Sequence, residues 1–379
     1  MGRTPTSLRR HLSGLLAAVT LVVALVLYGD VFGATGVPAS HRGLGTLAIE
    51  GGQVLTAQVG SDSSAEATTA DLVTTIAAEV NPAVVTVKNL QEIPAPFGGP
   101  NEPQAVGIGS DFILDTAGHV VTNSHVIEGA EALSVQFSDG TTVDATLIGR
   151  DAFQDVAVLQ IDMGDTAEVP GVVTLGESNT VEFGDTVVAI GTALGEYPNT
   201  VTTGSVEIVD RALDTGNGYE LANLIQHDAE LWPGNSGGPL IDLGGEVIGM
   251  NVAGSNASGR SATGSQMGFA IDMDAVLDIT EQLIANGEVA RPFLGIESAL
   301  AASGQRVTGV VDGGPAAEAG IEVADVITAV DGQKVDTAHP LLNVLFEHDP
   351  GETVTLTVER NGEQQTLDVV LDERPVETP

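Results

Sequence analysis

Cysteine is absent from the 379-residue chain, so neither a disulfide nor a thiolate metal site can staple it. Positive charge is almost as scarce. Lys88 and Lys334 are the only lysines, and the formal net charge is −39 at pH 7. A surface of that sign repels phosphate backbones and anionic headgroups, which excludes nucleic acid and general adsorption to anionic lipid. The same charge suits solubility in salty surroundings. Metal-ligating clusters are missing too: His119 and His125 lie near each other, but no carboxylate pattern completes a site. No metal and no cofactor are expected.

The little basic charge gathers at the front. Residues 1–42 hold Arg3, Arg9, Arg10 and Arg42 against the single acid Asp30. Arg9-Arg10 precede a run from Leu12 to Tyr28 that carries no charge. It exceeds the ~7–15 residue core of a signal peptide and reaches the lower end of the ~17–25 residues that span a bilayer. This reads as an export signal over residues 1–32, kept as an anchor or cleaved, with the length favouring the anchor. Arginines before the run and acids after it orient the rest of the chain outward. Val37-Pro38-Ala39 would serve a cleavage. Membrane contact is expected through this segment alone. Residues 33–70, rich in Gly, Ala, Ser and Thr, read as a flexible linker.

Beyond it, apolar residues at helical spacing (Leu72, Val73, Ile76, Val80) predict a short helix over Asp71 to Val80. From Pro82 to about Phe269 short β-type runs alternate with turn residues. Six fall before residue 162 and six after residue 185, which fits two small barrels better than one large sheet. The proline-rich interval Glu92–Gln104 reads as a loop. Asp272 to Asn286 reads as an amphipathic helix, capped by Asp272 and stopped by Gly287. After Arg291-Pro292 a mixture of strand and helix signals, including a helix over Ala338–Glu347, makes a separate small α+β domain over residues 291–374, with 375–379 as a tail.

The stretch that orders the rest is Gly234-Asn235-Ser236-Gly237-Gly238-Pro239. A serine among glycines in a tight turn exposes its hydroxyl and leaves neighbouring N–H groups unobstructed, as attack on a carbonyl requires. The string also satisfies G-x-S-x-G, the nucleophile elbow of α/β-hydrolases. An elbow, however, leads into a helix, whereas Pro239 to Met250 reads strand, Gly-Gly turn, strand. The acid and imidazole candidates also precede the serine. His125 follows the apolar run Val120-Val121, and Asp155 stands just before Val156-Ala157-Val158-Leu159. That order, His, Asp, Ser, is chymotrypsin-like.

These strings resemble the HtrA/Deg family of exported serine proteases, over roughly residues 71–372. The resemblance rests on Thr122-Asn123-Ser124-His125-Val126, on Asp155-Val156-Ala157-Val158-Leu159, and on Ile225-Gln226-His227-Asp228-Ala229 running into Pro233 to Leu240. It implies a mainly β fold: two six-stranded chymotrypsin-type barrels over residues 71–290, then a PDZ domain over 291–374. It also implies His125, Asp155 and Ser236 as the triad, with Gly234, Asn235 and Ser236 forming the oxyanion hole. Phe293-Leu294-Gly295-Ile296 matches the family's carboxylate-binding loop, where a C-terminal peptide would add a strand to the sheet edge.

Several positions depart from the family pattern: Ile108 and Asp111 where Ser and Gly are usual, His227 for Thr, and Trp232 for Asn. His227 is expected to be structural or solvent-facing rather than a second base. Leu231 would line a specificity pocket for small or medium aliphatic residues. Glu230, six residues before Ser236, would select Lys or Arg only if buried at the pocket base; the reading kept is a solvent-facing Glu230 and an aliphatic pocket. The expected function is an ATP-independent endopeptidase of unfolded or damaged exported proteins, working through an acyl-enzyme and regulated by PDZ binding of C-terminal peptides. The resemblance implies a homotrimer. The competing class is a non-catalytic chaperone or adaptor that binds unfolded chains.

Overall fold

The computed structural model describes residues 68–93, 102–164, 168–193, 197–216, 218–252 and 267–375. The export signal and almost all of the linker therefore lie outside the described residues. Helix α1 (Thr69–Val80) opens on a capping box, in which the Thr68 hydroxyl accepts from the Asp71 N–H and the Asp71 carboxylate accepts from the Thr68 N–H. The expected helix is thus two residues longer at its start.

Strands β1 (Val84–Ile93), β2 (Glu102–Ile113), β3 (His119–Thr122), β4 (Ala132–Gln136), β5 (Thr142–Asp151) and β6 (Val156–Ile161) close a barrel in the order β1-β2-β3-β6-β5-β4. Strands β7 (Thr186–Ala193), β8 (Tyr197–Asp214), β9 (Glu220–His227), β10 (Pro239–Ile241), β11 (Val247–Val252) and β12 (Gly268–Asp272) close a second, in the order β10-β11-β12-β9-β8-β7. The second barrel repeats the connectivity of the first. The two-barrel expectation holds.

The loop expected over Glu92–Gln104 is corrected at both ends. β1 and β2 stay paired out to Ile93 opposite Glu102, past a register shift at Asn89/Leu90. The prolines misled because a ribbon tolerates a residue without an N–H where no ladder bond is needed: Pro103 sits opposite Glu92 inside the strand pair.

One core joins the barrels. Phe112, Val121 and Val158 from the first pack in the same cluster as Ile190, Leu224, Met250 and Phe269 from the second. Helix α2 (Met273–Asn286) leaves β12 and adds Met273, Val276 and Leu283 to that cluster. Its cap is as expected: the Asp272 carboxylate accepts from the Ala275 N–H at 2.7 Å, and Gly287 ends it at φ +82°.

The C-terminal domain contains β13 (Pro292–Phe293), β14 (Ile296–Ala301), β15 (Gly304–Val310), α3 (Pro315–Glu318), β16 (Val326–Val330), β17 (Gln333–Lys334), α4 (Leu341–Leu345), β18 (Thr353–Arg360), β19 (Glu363–Val370) and β20 (Asp372–Glu373). Its sheet runs β14-β15-β16-β18-β19, with β17 on β16, and it has its own core of Leu294, Ile327, Leu356 and Val369 among others. Helix α4 is shorter than the expected Ala338–Glu347. The Asp336 carboxylate accepts from the N–H groups of Ala338 and His339, which folds those residues as a turn, and Pro340 then caps the helix. A groove of about 600 Å³ runs between the Phe293–Ile296 loop, α4 and the β8–β9 hairpin.

Candidate active site

His125 sits on a one-turn 3₁₀ helix, Ser124–Val126, just past β3. Asp155 occupies the turn between β5 and β6 with φ +56°, a left-handed conformation that Asp tolerates better than most residues and that is worth its strain where function needs it. The turn is held from behind: the Asp155 carbonyl accepts from Ser124 N–H at 3.2 Å and from Asn123 Nδ2 at 2.9 Å. The Asp155 carboxylate then meets His125 twice, at the backbone N–H (2.9 Å) and at Nδ1 (2.8 Å). His125 Nε2 lies 3.1 Å from Ser236 Oγ. The three side chains expected from sequence are therefore in hydrogen-bonding sequence. The serine comes from the second barrel and the other two from the first.

Electrostatics follow from that geometry. Burial alone would lower the His125 pKa, but the hydrogen bond and charge of Asp155, with Glu128 adding to it, outweigh burial and raise it. Asp155 accepts from Nδ1–H, so Nε2 is the nitrogen left to take the serine proton.

The Ser236 turn is clamped from two strands, β2 and β11. Ser110 N–H donates to Ser236 O at 2.8 Å, and the Ser110 hydroxyl donates to Gly234 O while accepting from Thr192 N–H. From β11, Asn251 exchanges backbone bonds with the turn (Gly237 N–H to Asn251 O 2.9 Å, Asn251 N–H to Gly238 O 2.8 Å). Its side-chain amide donates to Gly238 O and Pro239 O, each at 3.0 Å. Sequence reasoning named neither Ser110 nor Asn251. Each lies on another strand, and a lone Ser or Asn in a strand carries no local signal.

Gly234 adopts φ +99° and Gly237 φ +82°. A Cβ on Gly237 would also run into Asp111 Oδ1 and Ser110 O, so that glycine is required twice over. Of the three residues expected at the oxyanion hole, Asn235 has its N–H engaged within the turn, donating to Trp232 O at 2.9 Å.

Glu230 is exposed, and its carbonyl accepts from Thr202 Oγ1. It is not a buried carboxylate at the base of a pocket. Leu231 is half-buried against the cluster that includes Val187, Ala189 and Ile225. His227 is buried, not solvent-facing. Burial drives its pKa down to about 4, against the opposing influence of Asn251 and Asp228, so it is a neutral core imidazole. In the C-terminal domain Leu294 is a core residue and Gly295 takes φ +77°, its carbonyl accepting from Val311 N–H. Ile296 opens β14 at the groove. Among the described residues no group of three or more metal-ligating side chains comes together.

Residues 109–250 match the trypsin-like peptidase domain family, and residues 292–371 match the PDZ domain family. Among curated relatives, the chain is 34% identical over 332 residues to "Serine protease Do-like HtrA" of Bacillus subtilis, covering 79% of this chain and 72% of that protein. It is 37% identical over 273 residues to the protein of the same name from Lactobacillus helveticus (67% and 65% covered). It is 35% identical over 301 residues to "Probable periplasmic serine endoprotease DegP-like" of Pseudomonas fulva (76% and 60%). The chain thus spans between three fifths and three quarters of the length of these relatives. Among solved structures, the HtrA-type protease AlgW with a decapeptide superposes with a TM-score of 0.64 at 30% identity, over 80% of this chain and 99% of that one. A serine endoprotease from Yersinia pestis gives 0.60 at 30% identity (80% and 98%). With two barrels, a His–Asp–Ser alignment between them and a PDZ domain behind, the chain belongs to the HtrA family of serine endopeptidases.

Proposed function

We propose that this protein cleaves unfolded or damaged exported proteins through an acyl-enzyme on Ser236. The observation that carries the reading is the continuous line of hydrogen bonds from Asp155 through His125 to Ser236. His125 Nε2 takes the Ser236 proton as Oγ attacks the scissile carbonyl. The N–H groups of Gly234 and Ser236 receive the oxyanion, and the imidazolium returns its proton to the departing amine. Water, deprotonated by the same imidazole, then releases the acyl group and restores the serine. Asp155 keeps the tautomer and stabilises the imidazolium without itself changing protonation.

Substrate C-termini would bind the groove beside the Phe293–Ile296 loop, adding a strand to β14 and switching on or recruiting for the protease. That an HtrA-type protease of this fold was solved with a decapeptide supports peptide binding by the protein as a whole. An aliphatic preference fits the apolar surroundings of Leu231. Export, with catalysis outside the cytoplasm, is supported by the uncharged run behind Arg9-Arg10 and by the periplasmic relatives. No helix among the described residues is long and apolar enough to cross a membrane; an anchor is proposed from residues 1–32 on the uncharged run alone. A homotrimer is proposed on the family resemblance alone.

The test is casein cleavage by the wild type and by Ser236→Ala, with and without hydrophobic C-terminal peptides. Peptide-stimulated cleavage that drops by roughly 10⁶ in the variant is expected. Equal, negligible cleavage by both, with aggregation still suppressed, would favour the chaperone reading instead.

A further inference from the structure

Asp111 is a carboxyl group in the wrong place for a carboxylate. It lies in β2 opposite Val85 of β1, with no exposed surface, next to the fully buried Phe112. Its Oδ2 accepts from the Val87 N–H at 2.9 Å. Its Oδ1 has no partner in hydrogen-bonding geometry among the described residues, and it lies where a side chain on Gly237 would have to go. The groups facing it are the Val87 N–H from β1, the Thr122 hydroxyl from β3, the Gly237 backbone from the nucleophile turn and, as the one charge bearing on it among the described residues, the His125 imidazole. Asp155 and Glu128 act on that imidazole in turn. One N–H donor and a neighbouring hydroxyl do not replace the hydration of a charged carboxylate.

We propose that Asp111 is a positioning residue for the nucleophile turn: its uncharged carboxyl wedges between β1 and Gly237 and keeps Ser236 in line with His125, and loss of its proton releases the turn. This rests on the reading of Ser236 as the nucleophile. Burial pushes the Asp111 pKa up to about 8, against the opposing pull of Thr122, Val87 and His125, so the wedge is neutral through the neutral range and charged above it. Once charged, Oδ1 would press a desolvated negative charge against the turn that must accept an oxyanion. Removing the proton therefore acts on geometry and on charge in the same direction.

The test is the rate at which an organophosphate labels Ser236 between pH 5 and 10 in the full chain, each profile scaled to its own maximum. Far-ultraviolet circular dichroism monitors the fold. The wild type is expected to fall about tenfold below its plateau by pH 9 while still folded. Asp111→Asn keeps the shape and the Val87 bond but cannot ionise, and should stay within about twofold from pH 8 to 10. Its acid limb, set by His125, should remain. Asp111→Gly removes the wedge and should react more slowly throughout, also without the alkaline break. The proposal is overturned by a wild-type profile without that break, by a break that coincides with unfolding, or by a break that persists in either variant. A wild type that is labelled at no pH overturns the nucleophile assignment itself and this proposal with it.

Discussion

At the scale of single residues, Asp155 carries more of the site than its one charge suggests. Its left-handed backbone lets the same residue offer its carbonyl to Asn123 and Ser124 and its carboxylate to both nitrogens of His125 that face it. Asp155→Asn would preserve the shape but reverse the donor at Nδ1, holding the wrong tautomer. A loss of about 10⁴ in kcat is expected from related triads. The pH profile should change as well. His125 has its pKa raised in the folded protein, and the base form is the active one. Wild-type activity should therefore disappear as pH falls through a midpoint above the ordinary imidazole value of about 6.5. In Asp155→Asn the residual activity should titrate at a lower pH, because the carboxylate that favours the imidazolium is gone. Initial rates on a chromogenic peptide from pH 5 to 9 measure both; an unmoved acid limb in the variant would contradict the assignment.

At the scale of elements, the nucleophile turn is a loop made rigid by strands that belong to other parts of the chain. β2 supplies Ser110, β7 supplies the Thr192 N–H, and β11 supplies Asn251. Replacing Ser110 by Ala leaves the buried Thr192 N–H without its acceptor and frees the Gly234 carbonyl. An unsatisfied buried group costs about 1–3 kcal/mol. Ser110→Ala should show that loss in urea unfolding and a lower kcat with KM nearly constant, since it touches the turn and not a substrate subsite. A variant as stable and as fast as wild type would show that the β2 clamp is dispensable.

At the scale of the whole molecule, the PDZ domain is fixed to the turn that carries Asp155. Asp151, buried at the end of β5, pairs with Arg291 at the domain junction. Phe153 packs edge-on against Tyr219 and Phe346, and Arg374 lies over the Phe153 ring. Asn343 of α4 both accepts from the Glu220 N–H and donates to the Glu220 carbonyl, each at 2.8 Å. That is a two-point grip of the groove-lining helix on the β8–β9 hairpin. Removing one partner of a buried ion pair strands the other charge, at a cost of about 3–5 kcal/mol. Arg291→Ala should lose stability on that scale in denaturant unfolding, whereas a loss below 1 kcal/mol would mean that water already reaches Asp151.

Much of this was legible in the residues themselves. The helix caps at Asp272 and Gly287, the twelve strand runs and the order His125, Asp155, Ser236 are local or ordinal features, and local physics and chain order are what a sequence records directly. The boundaries that went wrong did so where tertiary partners overrode local signals: Pro103 is carried inside a ribbon by its pairing with β1, and Asp336 turns the chain before α4 can start. His227 is expected to be structural or solvent-facing, and its pairing with Gly268 of β12 and Val206 of β8 decides for the structural role by burying it. Ser110, Asn251 and Asp111 could not be assigned a role from sequence. Each acts on Ser236 from another strand, and which strand ends meet is decided by barrel closure and the packing of one barrel on the other. The sequence by itself determined which residues could perform the chemistry. The tertiary structure decided what holds them in place and where a carboxyl group had to be kept without its charge.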